Sequence, residues 1–298
     1  MDVLLGFWNL IPITLVQSVL YAFVALGVMI PFRILGIPDI TSEGAFPLGG
    51  CLAAVLLVAG LHPVLATLLA AAAGFLAGAA TALVHLKLRV HSLLAGILVV
   101  TMLWSVNLRI MGKPNLPLFG LNDLFTWANP DLPQNLTLQL VFLGIILAVI
   151  AGGLWLMLHT QVGLALRALG ANPQLVPSLG VNFTAYAVAG VGAANAITAA
   201  SGALSAQLQG YADASMGVGM LVTGLASVIL GEAIIGRRTI TTQLLAPIVG
   251  SIVYFQLTSL ALSLGLAPSD LKFATGLFVL CTIGWTTVVR GRARSVFN

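Results

Sequence analysis

Residues 160–182, "TQVGLALRALGANPQLVPSLGVN", interrupt a chain that is otherwise apolar almost from end to end. The stretch reads as two short helices with a turn between them. Leu164, Ala165, Leu166, Arg167 and Ala168 are all good helix formers, and Gly170 is placed to stop the first helix in a left-handed turn. Asn172 followed by Pro173 is an N-cap with proline at the first helical position, so a second helix is expected at once. Pro177 should kink or shorten it, and Gly180 should end it. The unit is too small to hold a core of its own. Its leucines would be wasted in water, so it should dock on something.

The chain on either side explains why such a unit stands out. Hydrophobic residues make up 59% of the 298 and charged residues 7%, against about 25% charged in a soluble domain. Such a chain could not cover a water-facing surface, and it is read as an integral membrane protein. Several apolar runs reach the roughly 20 residues that cross a bilayer core as helix. The alternation of a membrane barrel strand is absent. The fold expected is all-α: a polytopic transmembrane bundle, one membrane domain over residues 1–298 with the polar unit at about 159–183 as its one sizeable cytoplasmic loop.

Apolar runs between polar punctuation give about nine spans, near 9–30, 44–60, 63–85, 92–111, 137–158, 184–207, 217–235, 240–263 and 271–289. The first run has no charged leader or clear cleavage site and is read as a retained span. Under strict alternation, His85, Lys87, Arg89 and His91, then Arg167, then Arg237 and Arg238, then the basic tail all fall on one side. The positive-inside rule makes that side the cytoplasm, with the N-terminus outside and the C-terminus inside. Lys113 is the main exception. The net charge of +4 is explained by these flanks and does not call for nucleic acid. Cys51 and Cys281 lie within apolar runs and read as packing residues.

Small residues dominate several spans, as in "AAAAGFLAGAATA" (residues 70–82) and "YAVAGVGAANAITAASGALSA" (residues 186–206). Such faces let helices approach until their backbones make dense contact, the main source of association in lipid. Asn195, Gln243 and Gln256 read as interhelical hydrogen-bonding residues. Glu232 reads as a charge paired at the membrane surface with Arg237 or Arg238.

Two places break the apolar pattern. "LGIPDITSEGAFPLGG" (residues 35–50) carries Asp39, Thr41 and Glu43 into the second span, and "LQGYADASMGVGMLVTG" (residues 208–224) carries Asp213 and Ser215 into the seventh. Both could be helix caps at the interface, since Thr41 and Ser215 are good N-cap residues. Both could equally line a conduit, because irregular backbone at membrane depth survives only where it is buried in protein or faces a wet cavity. Paired breaks in two halves of a chain point to a transport pathway. If neither segment re-enters the membrane, Asp39 and Glu43 start at the cytoplasmic side and Asp213 at the outer side, as inner and outer gates. There is no phosphate-binding loop, no H-E-x-x-H and no nucleophile elbow. No catalytic residue, metal ligand or cofactor is expected.

The polar unit resembles the cytoplasmic coupling loop of ABC-importer permeases of the branched-chain amino acid and simple-sugar type. The matching positions are Gly163, Arg167, Ala168, Gly170, Asn172, Gly180, Val181 and Asn182. Pro177 stands where a small residue is common. The two broken segments resemble a subgroup of amino-acid permeases that includes tryptophan- and tyrosine-like ones. The resemblance implies a permease subunit in the bacterial cytoplasmic membrane, paired with a second permease subunit, most simply a homodimer. Two ABC ATPase subunits would sit beneath and an extracytoplasmic solute-binding protein would deliver a small polar solute such as an amino acid. ATP hydrolysis would belong to the separate ATPase, and the loop, with Pro173 in its turn, would be the mechanical contact. The competing class is an ion-coupled secondary transporter with Asp39, Glu43 and Asp213 as ion-linked groups; the docking loop argues against it.

Overall fold

The computed structural model describes residues 2–172, 182–267, and 270, 273, 275–277, 280 and 284, with side chains from Gly6 onward. Ten α-helices carry the described part of the fold. Helix α1 (Asp2–Met29) runs through a π-helical turn, Ile30–Leu35, that closes at Gly36. Pro31 has no N–H to donate back along the helix, and its carbonyl instead accepts from Gly36 and Ile37 at the exit. Then come α2 (Ser42–Val58), α3 (Pro63–Lys87) and α4 (Ser92–Met111), a short α5 (Leu124–Ala128) and α6 (Leu136–His159). Helix α7 (Gln161–Ala171) is the described part of the polar unit. It is followed by α8 (Phe183–Gln209), α9 (Met220–Ile235) and α10 (Ile240–Ser263).

Local chemistry sets the ends. Asp123 accepts from the Thr126 amide at 2.7 Å to start α5, and Asn182 accepts from Ala185 at 3.2 Å to start α8. Thr239 and Thr242 cap α10 reciprocally. Among the described residues, the departure from an all-helical fold is a ribbon of two three-residue strands, β1 (Asn115–Pro117) and β2 (Tyr211–Asp213), antiparallel with Asn115 opposite Asp213.

Among the described residues, six helices are long and apolar enough to cross a bilayer: Gly6–Leu35, α3, α4, α6, α8 and α10. Helices α2 and α9, expected as full spans, have only 17 and 16 residues, about 25 Å of helix each. Both start inside the bundle, as shown below. The expected span near 271–289 lies largely outside the described residues.

Helices α1 and α8 form the middle of the bundle, while α4 and α6 turn most of their apolar side chains outward. Helix α8 packs along both α2 and α3, and small residues allow it. A Cβ at Gly202 would strike the Phe46 carbonyl, and one at Gly49 the Ala199 carbonyl. Polar side chains stitch the remaining contacts: Ser201 donates to the Leu20 carbonyl at 2.9 Å and Ser251 to the Ser18 carbonyl at 2.7 Å. Gln256 donates to Thr14 at 3.2 Å, one of the interhelical bonds expected from the sequence. Such bonds contribute about 1 kcal/mol each in lipid.

Candidate functional site

After Gly36 the chain leaves the end of α1 and runs without helix through residues 37–40 before α2 begins. Asp39 lies in this run, 1% exposed. Its Oδ1 accepts from the Thr41 amide at 2.9 Å and its Oδ2 from Asn195 Nδ2 at 2.7 Å. Asn195 sits near the middle of α8, and the Thr41 hydroxyl meets that of Thr81 on α3 at 2.7 Å. The first break therefore ends inside the bundle. The inner-gate reading applied only if the segment did not re-enter; here Asp39 is buried, where a carboxyl needs partners, and Asn195 and the Thr41 amide supply them. Asn195 is accordingly more than a helix contact.

The second break arrives from the opposite end. At the ribbon, the Ser215 amide and hydroxyl donate to Asp213 Oδ1 at 2.6 and 2.5 Å, and Asn115 Nδ2 donates to Oδ2 at 3.4 Å. The Ser215 hydroxyl holds the Asp213 carboxyl below the usual carboxylate range; partial burial opposes this, and the Ser215 amide and Asn115 add to it. From there residues 214–219 turn into the bundle. Gly217 packs so tightly on the Glu43 carbonyl and Pro47 that no Cβ would fit. The Gly219 amide donates to Glu43 Oε1 at 3.3 Å, and α9 starts at Met220.

The two breaks thus meet. Glu43, in the first turn of α2, accepts from the amide just before α9, so its half-buried carboxyl stands at the N-terminal end of α9, whose dipole favours negative charge. Asp39 and Thr41 brace the same region from α3 and α8. Asp213 and Ser215 do not join it; they stay at the ribbon. This separation also keeps Asp39, Glu43 and Asp213 from forming one ion site. Among the described residues no three His, Cys, Asp or Glu side chains gather at metal-binding distance. A small crevice of about 60 Å³ opens beside the meeting point, with Glu43, Trp104, Asn107 and Gly217 in its wall. Asn107 and Trp104 were not singled out as site residues from the sequence. The available signal was an amide inside an apolar helix.

At the basic end, α7 lies against the bundle rather than apart from it. Leu166 and Leu169 are buried, and they dock on this chain's own helices. Gly170 is helical, not a left-handed stop: the helix continues to Ala171, and the glycine is needed because a Cβ would strike the Ile34 carbonyl. Gly163 fits the tight turn after α6 against Leu158. Arg167 Nε reaches the Gly163 carbonyl at 3.4 Å, and Ala168 is half-buried beside it. Val162 and Leu164 point outward and are exposed, as are Ala171 and Asn172. Pro173, Gly180 and Val181 lie outside the described residues. Glu232 does pair, but with Arg33 at 2.7 Å rather than with Arg237 or Arg238. The bridge ties the exit of α1, just before the first break, to the last turn of α9.

The family described as "Branched-chain amino acid transport system / permease component" matches residues 10–283. A "Tyrosine transport system permease protein" of Clostridioides difficile is 40% identical over 265 residues, covering 89% of this chain and 87% of that protein. An uncharacterized protein of Rickettsia prowazekii is 32% identical over 279 residues, 92% of this chain and 97% of that one. A nucleoside ABC transporter permease of Lactococcus lactis is 36% identical over 92 residues, 30% and 28% of the two chains. No solved structure matches.

Proposed function

The chain belongs to the branched-chain amino acid transport permease family, and from that premise we propose that it carries an amino acid, aromatic ones included, through the meeting point of its two breaks. It is the permease subunit of an ABC importer, a multi-pass membrane protein. The observation that carries the route is the Glu43–Gly219 contact, where non-helical segments from opposite ends of the bundle join. Half-helix N-termini facing each other at depth are the arrangement by which broken helices present polar groups to a solute. Asp39, Thr41 and Glu43 form and brace the crossing; Asp213 and Ser215 stand at its mouth. The aromatic cargo is supported by the tyrosine permease relative.

The rest follows in order. The basic end faces the cytoplasm, with the N-terminus outside and the C-terminus inside. Counting each break with its short helix as one crossing, and residues 271–289 as the last, gives nine crossings of the bacterial inner membrane by one domain. The loop near 159–183 couples to the ATPase: Gly163, Arg167, Ala168 and Gly170 seat α7 on the bundle, and its exposed rim, from Val162 to Asn172, with Pro173 and Gly180 beyond, meets the ATPase groove. A second copy of the permease and an extracytoplasmic binding protein complete the importer.

The test is uptake of labelled L-tyrosine and L-leucine into proteoliposomes holding the permease, its ATPase and the binding protein. ATP should drive it, a protonophore should not stop it, and Gly217→Val should lower the flux at least tenfold with the complex still assembled. Uptake driven by an ion gradient without ATP would reject the reading. Full flux in Gly217→Val would reject the route.

A further inference from the structure

Beside the meeting point, one stripe of α4 turns toward α2. Val100, Trp104 and Asn107 are spaced by four and three residues, so they share a helix face, and all three line the crevice with Glu43. Asn107 is fully buried. Its Nδ2 donates to the Gly44 carbonyl at 3.5 Å, which directs Oδ1 away from that carbonyl, and Oδ1 has no hydrogen-bond partner. A buried acceptor left unmet in an apolar helix is costly and calls for an explanation. Glu43 has one oxygen on the Gly219 amide, while Oε2 accepts from no group among the described residues. The wall thus offers the Glu43 carboxyl, the Trp104 indole and the apolar side chains of Pro47 and Val100, with the buried Asn107 amide beside them. No Lys, Arg or His lines it.

We propose that this crevice receives the ammonium group of the transported solute. An ammonium has three N–H donors and no acceptor, which suits a wall that has acceptors without competing donors. Trp104, the strongest of the aromatic rings for this purpose, adds a face that attracts cations. A carboxylate head group has no place there, since it would meet Glu43 and the bare Asn107 oxygen. The assignment rests on the transport reading above and narrows it: cargo would need a primary or secondary amine, and nucleosides and neutral sugars would be poor ligands.

The experiment uses the full permease in lipid nanodiscs and reads Trp104 emission as the difference between the parent and W104F. Three probes are titrated: methylammonium, L-phenylalanine methyl ester and 3-phenylpropionate. The two amines should shift the Trp104 signal and the acid should not. Glu43→Gln and Asn107→Leu should each weaken the ester at least tenfold, while Asn107→Asp, which keeps the acceptors, should bind it at least as tightly as the parent. Equal responses to the acid and the ester in the parent protein overturn the proposal, and that comparison stands even if a variant does not fold. Unchanged ester binding in both weakened variants also overturns it. Proteoliposome uptake separates this from the transport reading: ATP-driven amino-acid uptake without amine binding discards the crevice alone. Amine binding by a complex that imports no amino acid discards the transport reading and leaves a bare amine site.

Discussion

Replacing Asp39 tests whether the first break is held inside the bundle by its buried partners. In Asp39→Ala the Thr41 amide loses its acceptor while buried, a cost of about 1–3 kcal/mol, and Asn195 loses one of its two acceptors, about 1 kcal/mol more. Asn195 keeps the Val191 carbonyl at 3.0 Å, so the total comes to about 2–4 kcal/mol. Asp39→Asn is milder. Its Oδ1 still accepts from Thr41, and its new amide can donate to Asn195 if that amide turns over and presents Oδ1, which has no partner in the parent. The bond to Val191 is then given up and the turned Nδ2 is left without an acceptor, together about 1–2 kcal/mol. The alanine variant should therefore be less stable than the asparagine variant by about 1–2 kcal/mol, and Asn195→Ala should add little to Asp39→Ala. The assay is unfolding in lipid nanodiscs, read as a double-mutant cycle, with uptake measured in parallel. Both variants should carry less solute, and Gln243→Ala is the control, because its bond to the Arg237 carbonyl is exposed and involves no residue of the break. Equal stability of the two Asp39 variants, or additive effects with Asn195→Ala, would refute the bracing role.

Three further outcomes follow from separate parts of the molecule. Gly170→Ala should already cut solute-stimulated ATP hydrolysis at least fivefold in purified importer, because the added carbon meets the Ile34 carbonyl; normal stimulation would free α7 of its close seat. The contribution of Asp213 to the ribbon should be fully present above the free carboxyl value of about 3.9 and fade as pH falls through its lower folded value. Amide exchange at the ribbon should then separate parent from Asp213→Asn at pH 6 and converge well below pH 4; a constant gap would break the assignment. Single cysteines at His62 and Asn122 should label from outside, and those at Arg89 and Arg238 only after permeabilisation, in a chain with Cys51 and Cys281 replaced; external labelling at Arg89 would invert the orientation.

Much of the helical layout was legible because apolar run length is a one-dimensional property. The run at 240–263 coincides with α10, and 63–85 falls two residues short of α3. Depth was not legible. Asp39 and Glu43 look in sequence like any polar cap at an interface, and only Asn195, 156 positions away, shows that the segment is interior. Glu232 likewise has two arginines close in sequence, yet pairs with one 199 positions away, since the end of α1 lies beside the end of α9. Gly170 carried the right identity with the wrong cause. A glycine near a helix end suits a left-handed turn or a backbone contact, and nothing local distinguishes them. Asn107 went unused for a related reason: an orphaned amide is visible only once its neighbours are known.

The ribbon of β1 and β2 is far below the size at which strands hold themselves together in water. It persists because α2 packs against it, and because the Leu118 amide on the Gly210 carbonyl and the Ala214 amide on the Pro114 carbonyl extend it. Its strands follow the ends of α4 and α8 through Gly112 and Gly210. Its pairing is therefore a gauge of the gap between those two helices. If the gap widens, the strands must peel, from Pro117 and Tyr211 on the α8 side and from Asn115 and Asp213 on the α4 side. Peeling at the second pair pays out slack into the six residues that lead down to Gly219, the only chain between the surface and the start of α9. A fluorophore pair across Asn115 and Asp213 would thus read, from the water phase, whether the interior junction is held taut.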